Sequence, residues 1–134
     1  MAQESGYRVT IIHVLGKTRS SVSALKEVIE LCESGVDYVI VKNLLFGEPQ
    51  TFTRYDASQT RKKVIEQLGG VELNLQEMFW TSWDVIEDND LPFCWAVDAE
   101  KTSLQRSQRT RAYRWLADMT EEVKKASLYL GLAQ

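Results

Sequence analysis

The chain has 134 residues, 44% of them apolar and 26% charged, with two prolines and a formal net charge of −3. That length can bury a core without disulfides or metal, and the composition is that of a globular protein rather than a disordered or fibrous one. Unbroken apolar stretches such as Tyr38 to Val41 are far too short to span a bilayer, and the N-terminus lacks a basic-then-apolar signal pattern. No membrane partner is therefore expected, and the cytoplasm is the expected location. Cys32 and Cys94 have neither CxxC spacing nor a nearby His, a pattern that reads as reduced core thiols and no metal site.

In chain order, Tyr7 to Leu15 is a β-branched apolar run of strand length ending at Gly16, expected as a buried strand. Ser20 or Ser21 then caps a helix in which Val22, Leu25, Val28, Ile29 and Cys32 recur at helical spacing, stopping near Gly35. Asp37 to Asn43 follows as a second strand, its continuous apolarity predicting cover on both faces. Strand, helix and strand with short connections build a parallel sheet. A polar loop over residues 44–55 leads to a cap at Asp56 or Ser58, a helix burying Val64, Ile65 and Leu68, a stop at Gly69-Gly70, and a third strand from Val71 to Leu75.

Residues 76–87 read as helical, Leu91-Pro92 as a break, and Phe93 to Val97 as a short apolar turn. Leu104, Ala112, Trp115, Met119, Val123, Ala126 and Leu130 keep one stripe on a long final helix, capped at Thr102 or Ser103 and ended by Gly131, with Gln108 as the interruption. The expectation is one compact α/β domain over residues 1–134. It has three layers: a short parallel sheet of about three strands, helices on both faces, and a long C-terminal helix.

Charge is segregated. Glu72, Glu77, Asp84, Glu87, Asp88, Asp90, Asp98 and Glu100 precede Lys101, Arg106, Arg109, Arg111 and Arg114, with no intermixing. Such blocks either neutralise each other within the fold or present separate faces to partners. The aromatic group Phe79, Trp80, Trp83, Phe93, Trp95 and Trp115 reads as core beneath the final helix or as part of an interface.

Gly16-Lys17-Thr18 stands between a strand and a helix, where a phosphate loop belongs. The full pattern GxxxxGK[ST] needs a glycine five positions earlier so that backbone N–H groups can curl around phosphates, and that position is Ile11. A simple turn is the better reading.

The order of strand, serine-bearing turn, helix, strand ending in Asn, long loop, helix, short strand and terminal helices is similar to the second half of the ParA/MinD family of deviant-Walker P-loop ATPases. IIHVLGKTRSSVSALKEVIE resembles the family's strand, serine turn and helix, and VDYVIVKN its next strand. VKNLLFGEPQTFTRYDASQTRKKV is similar to plasmid-encoded members linked to partition, stability and mobilisation. The resemblance implies a partial P-loop NTPase fold, with Asn43 contacting the adenine base and with Lys42 and the turn near Gln76 at the pocket rim.

It also implies that the phosphate loop and a magnesium-positioning Asp lie upstream of Tyr7. The chain alone would then not hydrolyse ATP, and ATP and Mg²⁺ would belong to a full-length parent. A fragment of a longer ATPase is the favoured expectation, with self-association or the missing half covering the orphaned sheet. The chain-intrinsic alternative for Asn43 is a loop-initiating residue that satisfies its own backbone.

A second function class is a non-catalytic module in which Arg106, Arg109, Arg111 and Arg114 contact DNA phosphates without sequence preference, set against a solvated helix face on a chain with pI ≈ 5.2. A hydrolase or metal enzyme finds little support, because the lone His13 lies in an apolar strand and the acidic segment lacks calcium-loop spacing.

Overall fold

The computed structural model describes residues 6–78 and 80–132; of Phe46 and Trp80 only the backbone is described. These residues form two compact units, Met1–Leu75 with Glu122–Gln134, and Gln76–Glu121, where a single domain is expected from the sequence.

The first unit is built on a three-stranded parallel sheet, β1 Thr10–Leu15, β2 Asp37–Asn43 and β3 Val71–Leu75, in the order β1-β2-β3. Thr10 pairs with Asp37 and Leu15 with Lys42, while Val39 pairs with Val71 and Asn43 with Leu75. Tyr38, Val39 and Ile40 are buried in succession, so β2 is covered on both faces as its continuous apolarity predicts. The first strand differs from expectation. It starts at Thr10 because β2, its ladder partner, starts at Asp37, and it is an edge strand: Ile12 and Val14 are 55% and 56% exposed.

One face of the sheet carries the main core, in which Leu15, Tyr38 and Ile40 meet Leu25 and Ile29 of α1 Arg19–Cys32 together with Phe52, Tyr55 and Val64. Burying each such side chain contributes about 1.5–3 kcal/mol. Thr18, rather than Ser20 or Ser21, caps α1: its Oγ1 accepts from Ser21 N–H at 3.3 Å, leaving Ser21 Oγ to accept from Gly16 N–H at 2.8 Å. A 3₁₀ turn, Glu33–Gly35, closes the helix.

The expected polar loop after β2 is instead ordered by two 3₁₀ turns, Leu44–Phe46 and Pro49–Thr51, and by α2 Thr53–Asp56, because Phe52 and Tyr55 are core residues. Ser58 caps α3 Gln59–Lys62, which relaxes into a π-helical turn, Lys63–Gln67. Gly69 (φ +71°) and Gly70 end it; a Cβ on Gly70 would lie 2.9 Å from Val64 O.

The other face of the sheet is met at Val39 and Leu73 by Ala126, Tyr129 and Leu130, which lie in turns after the last helix. Cover on that side is thus made by turns where helices are expected. Glu122 ties this segment to the sheet, its carboxylate accepting from Asn74 N–H at 3.2 Å and from Lys125 Nζ at 2.9 Å.

The second unit packs Met78, Ile86, Ala96, Leu104 and Ala112 into a core of its own. Ile86 comes from α4 Trp80–Asp88, Ala96 from α5 Phe93–Ala96, and Ala112 from α6 Arg106–Lys124, which continues into the first unit, while Met78 and Leu104 lie two residues before α4 and α6. Gln108, the break in the apolar stripe, is a cap: its Oε1 accepts from Gln105 N–H at 3.0 Å. Thr102 Oγ1 instead accepts from Leu104 N–H, so the helix starts later than its hydroxyl residues suggest. It also ends earlier. After Lys124 the N–H groups of Lys125, Ala126 and Ser127 reach back three residues rather than four.

Candidate functional site

The carboxyl ends of parallel strands are where open α/β sheets take ligands, at the point where strand order reverses. In this sheet the order β1-β2-β3 contains no reversal. The turns at those ends are nevertheless drawn together. Lys17, just after β1, reaches the loop after β2, its Nζ 3.0 Å from where a Cβ on Gly47 would lie. Gly47 has φ +140° and ψ 178°, a conformation open to glycine alone.

Asn43 ends the central strand. Its Oδ1 accepts from Leu45 N–H at 3.1 Å and caps the first 3₁₀ turn, the backbone-satisfying role. Nδ2 has no hydrogen-bond partner among the described residues. Lys42, expected at the pocket rim, turns its ammonium inward. It is 9% exposed, with Nζ 2.8 Å from Asp56 Oδ1 and 3.2 Å from Pro49 O, and it lies over the rings of Phe52 and Tyr55 at 5.7 and 5.8 Å. Gln76 belongs to the second unit, where its carbonyl accepts from Trp115 Nε1 at 2.8 Å.

The β1–α1 turn is too short for a phosphate cradle. Only Gly16, Lys17 and Thr18 separate strand from helix, and Gly16 N–H and Thr18 Oγ1 are already bonded to Ser21. His13 is half-buried, and its Nε2 lies buried without a partner; burial pushes its pKa down. Beyond β2, Arg61 and Glu72 form a charge-assisted pair at 2.7 Å. Buried beside them, the Tyr55 hydroxyl has no partner in the structure.

Of the four arginines, Arg106, Arg111 and Arg114 border one open hollow of about 640 Å³ with Ser107 and Thr110, whereas Arg109 is half-buried outside it. The acidic block does not neutralise the basic one through ion pairs: among the described residues no acid from Glu77 to Glu100 takes part in one. Cys94 is exposed and Cys32 half-buried, so Cys94 is no core thiol. Trp83, Phe93 and Trp95 are partly exposed, with Phe93 5.5 Å from Trp115; Phe79 and the side chain of Trp80 lie outside the described residues. Among the described residues no three His, Cys, Asp or Glu side chains converge as metal ligands, and no helix is long and apolar enough to cross a membrane.

Sequence reading overlooked the Lys42–Asp56 and Arg61–Glu72 pairs and the approach of Lys17 to Gly47. Nothing in local spacing announces them, since 14 and 11 residues separate the paired charges.

The fold defines a parallel α/β protein in which the turns after β1 and β2 meet at the carboxyl ends of the strands. No protein-family model, curated protein or solved structure matches the chain.

Proposed function

We propose that the chain is the adenine-side half of a ParA/MinD-like nucleotide-binding protein serving plasmid or DNA partition or mobilisation, and that it does not hydrolyse ATP by itself. Asn43 carries the reading. It stands at the carboxyl end of the central strand, its Oδ1 fixed by Leu45 N–H, and its amide nitrogen is left as an uncommitted donor. A fixed amide suits the ring-nitrogen acceptors and exocyclic amine of adenine.

The base side of ATP fits these residues; the phosphate side does not. Phosphoryl transfer rests on a phosphate cradle and Mg²⁺, and the three-residue turn after β1 spends its donors internally. A phosphate-binding half would join the sheet at the free edge of β1 and cover Ile12 and Val14. It would also create the reversal of strand order that β1-β2-β3 lacks.

The test is amide NMR of the full chain titrated with ATP and with GTP to about 5 mM, a range that detects millimolar affinity. ATP should shift the Asn43 side-chain amide and Leu45 N–H more than GTP does, and Asn43→Asp should remove that preference. Equal responses, or an Asn43 amide that stays put, would sink the reading.

The common hollow of Arg106, Arg111 and Arg114 supports a second reading, a module contacting DNA phosphates. It requires gel-shift binding to plain duplex at low salt that weakens steeply as salt rises, and no shift at low salt removes it.

A further inference from the structure

The first unit holds a cationic groove outside the strand-end turns. On α1, Arg19, Val22, Ser23 and Lys26 share one face, and with Arg54 of α2 and Thr60 of α3 they enclose a hollow of about 400 Å³. A smaller hollow of about 120 Å³ adjoins it through Lys26 and Thr60 and adds Lys63 together with Glu30. Among the described residues Arg19 and Arg54 have no ion pair, and Lys26 has only an exposed contact with Glu30 at 3.8 Å.

The second unit carries the opposite surface. Ser82 and Ile86 bury the inner face of α4, while Trp83, Asp84, Glu87 and Asp88 are exposed on its outer face, with Trp83 at 43%. Every charged residue from Glu77 to Glu100 is an acid, and none is in an ion pair among the described residues.

We propose that the groove of one copy docks the α4 face of a second copy, Asp84, Glu87 and Asp88 meeting Arg19, Lys26 and Arg54 while Trp83 covers Val22. Charge complementarity selects this occupant, since one chain supplies both a groove whose Arg19 and Arg54 have no ion pair and an acidic face with none, among the described residues. The spans agree: Arg19 to Lys26 is about 10.5 Å along α1, and Asp84 to Asp88 about 6 Å along α4, a difference that the long basic side chains bridge. A nucleic acid would use the cations but would approach a chain of net charge −3. The inference is independent of the nucleotide reading.

Light scattering of the full chain tests it, with two double variants: Arg19→Glu with Arg54→Glu, and Asp84→Lys with Glu87→Lys. All four positions are exposed, so both variants should unfold at the wild-type urea midpoint. At about 50 mM salt the wild-type mass should rise with concentration, and at about 500 mM salt the association constant should fall at least tenfold. Each variant alone should be monomeric, while their equimolar mixture should associate, through the unaltered groove of one variant and the unaltered α4 face of the other. A monomeric wild type at low salt, self-association that survives either reversal, or a mixture that stays monomeric would each overturn the proposal.

Discussion

The ammonium of Lys42 lies 2.8 Å from Asp56 Oδ1, joining the end of the central strand to α2 across the buried rings of Phe52 and Tyr55. The lysine is buried, whereas the Asp56 side chain is 36% exposed, so the two ends of the pair respond differently to removal. Asp56→Ala strands a charge in the core and should cost about 1–3 kcal/mol, below the full penalty for a wholly buried pair. Lys42→Met removes the need for a partner and should cost under about 1.5 kcal/mol. Urea unfolding of both variants checks the order, which reverses if the ion pair is a net source of stability.

Gly47 carries two constraints at once, its backbone conformation and the presence of Lys17. Gly47→Ala would place a Cβ 2.7 Å from Thr51 Oγ1, so the loop must shift as well as strain, at about 1–3 kcal/mol. The Thr51 hydroxyl now donates to Glu48 O, and Thr51→Ser in the Gly47→Ala background keeps that bond and the clashing oxygen. The double variant should therefore recover none of the loss in thermal unfolding.

Asn43 separates a structural task from a ligand-reading one, because they fall on different atoms of its amide. Asn43→Ala deletes the acceptor for Leu45 N–H and should lose about 1 kcal/mol, the usual cost of a lost cap. Asn43→Asp retains an acceptor there and should unfold within about 0.5 kcal/mol of wild type. Equal destabilisation by the two would show that Nδ2, not Oδ1, does the holding.

Much of the sheet could be read from residues alone, because a parallel strand covered on both faces is written as continuous apolarity. Tyr38-Val39-Ile40 gives β2 without ambiguity, and Gly69-Gly70 marks the stop before β3. The same rule misled at β1: Ile12 and Val14 are as apolar as any core residue, and only strand order reveals the edge. The loop after β2 was obscured by its Gly, Pro and Thr residues, which mask Phe52 and Tyr55 as anchors. The apolar stripe over residues 104–130, interrupted at Gln108 alone, conceals that Leu104 and Ala112 serve one core while Ala126 serves another. For the candidate site, Asn43 was legible as a strand-end residue, but its cap and the engagement of Lys42 depend on folded geometry.

The Tyr55 hydroxyl is buried without a partner in hydrogen-bond geometry, beside the Glu72 carboxylate that binds Arg61. Burial, then the charge of Glu72, pushes the phenol far above its ordinary pKa, so it stays protonated and its desolvation is uncompensated. Tyr55→Phe keeps the ring that packs beneath Lys42 and should raise stability by up to about 1 kcal/mol. A loss of more than about 1 kcal/mol in urea unfolding would mean that the hydroxyl holds a hydrogen bond in solution.

His13 should make the first unit sensitive to mild acid. Burial lowers its pKa in the folded chain, outweighing a contribution from Ser21 that raises it, while the unfolded chain titrates near 6.5. Between the folded value and 6.5 the unfolded state therefore holds more protons, so stability rises with pH through that window. It is fully present above about pH 6.5 and is lost as pH falls toward the folded pKa, with a slope of at most about 1.4 kcal/mol per pH unit. His13→Leu keeps an apolar side chain over the same core and removes the proton site. Urea unfolding of both proteins from pH 7.5 to pH 5 isolates the contribution, because the carboxylates common to both cancel in the difference. The wild type should lose stability faster than the variant below about pH 6.5. Parallel curves would show that the imidazole titrates as freely in the folded chain as in the unfolded one, and a variant that falls faster would show that folding raises its pKa.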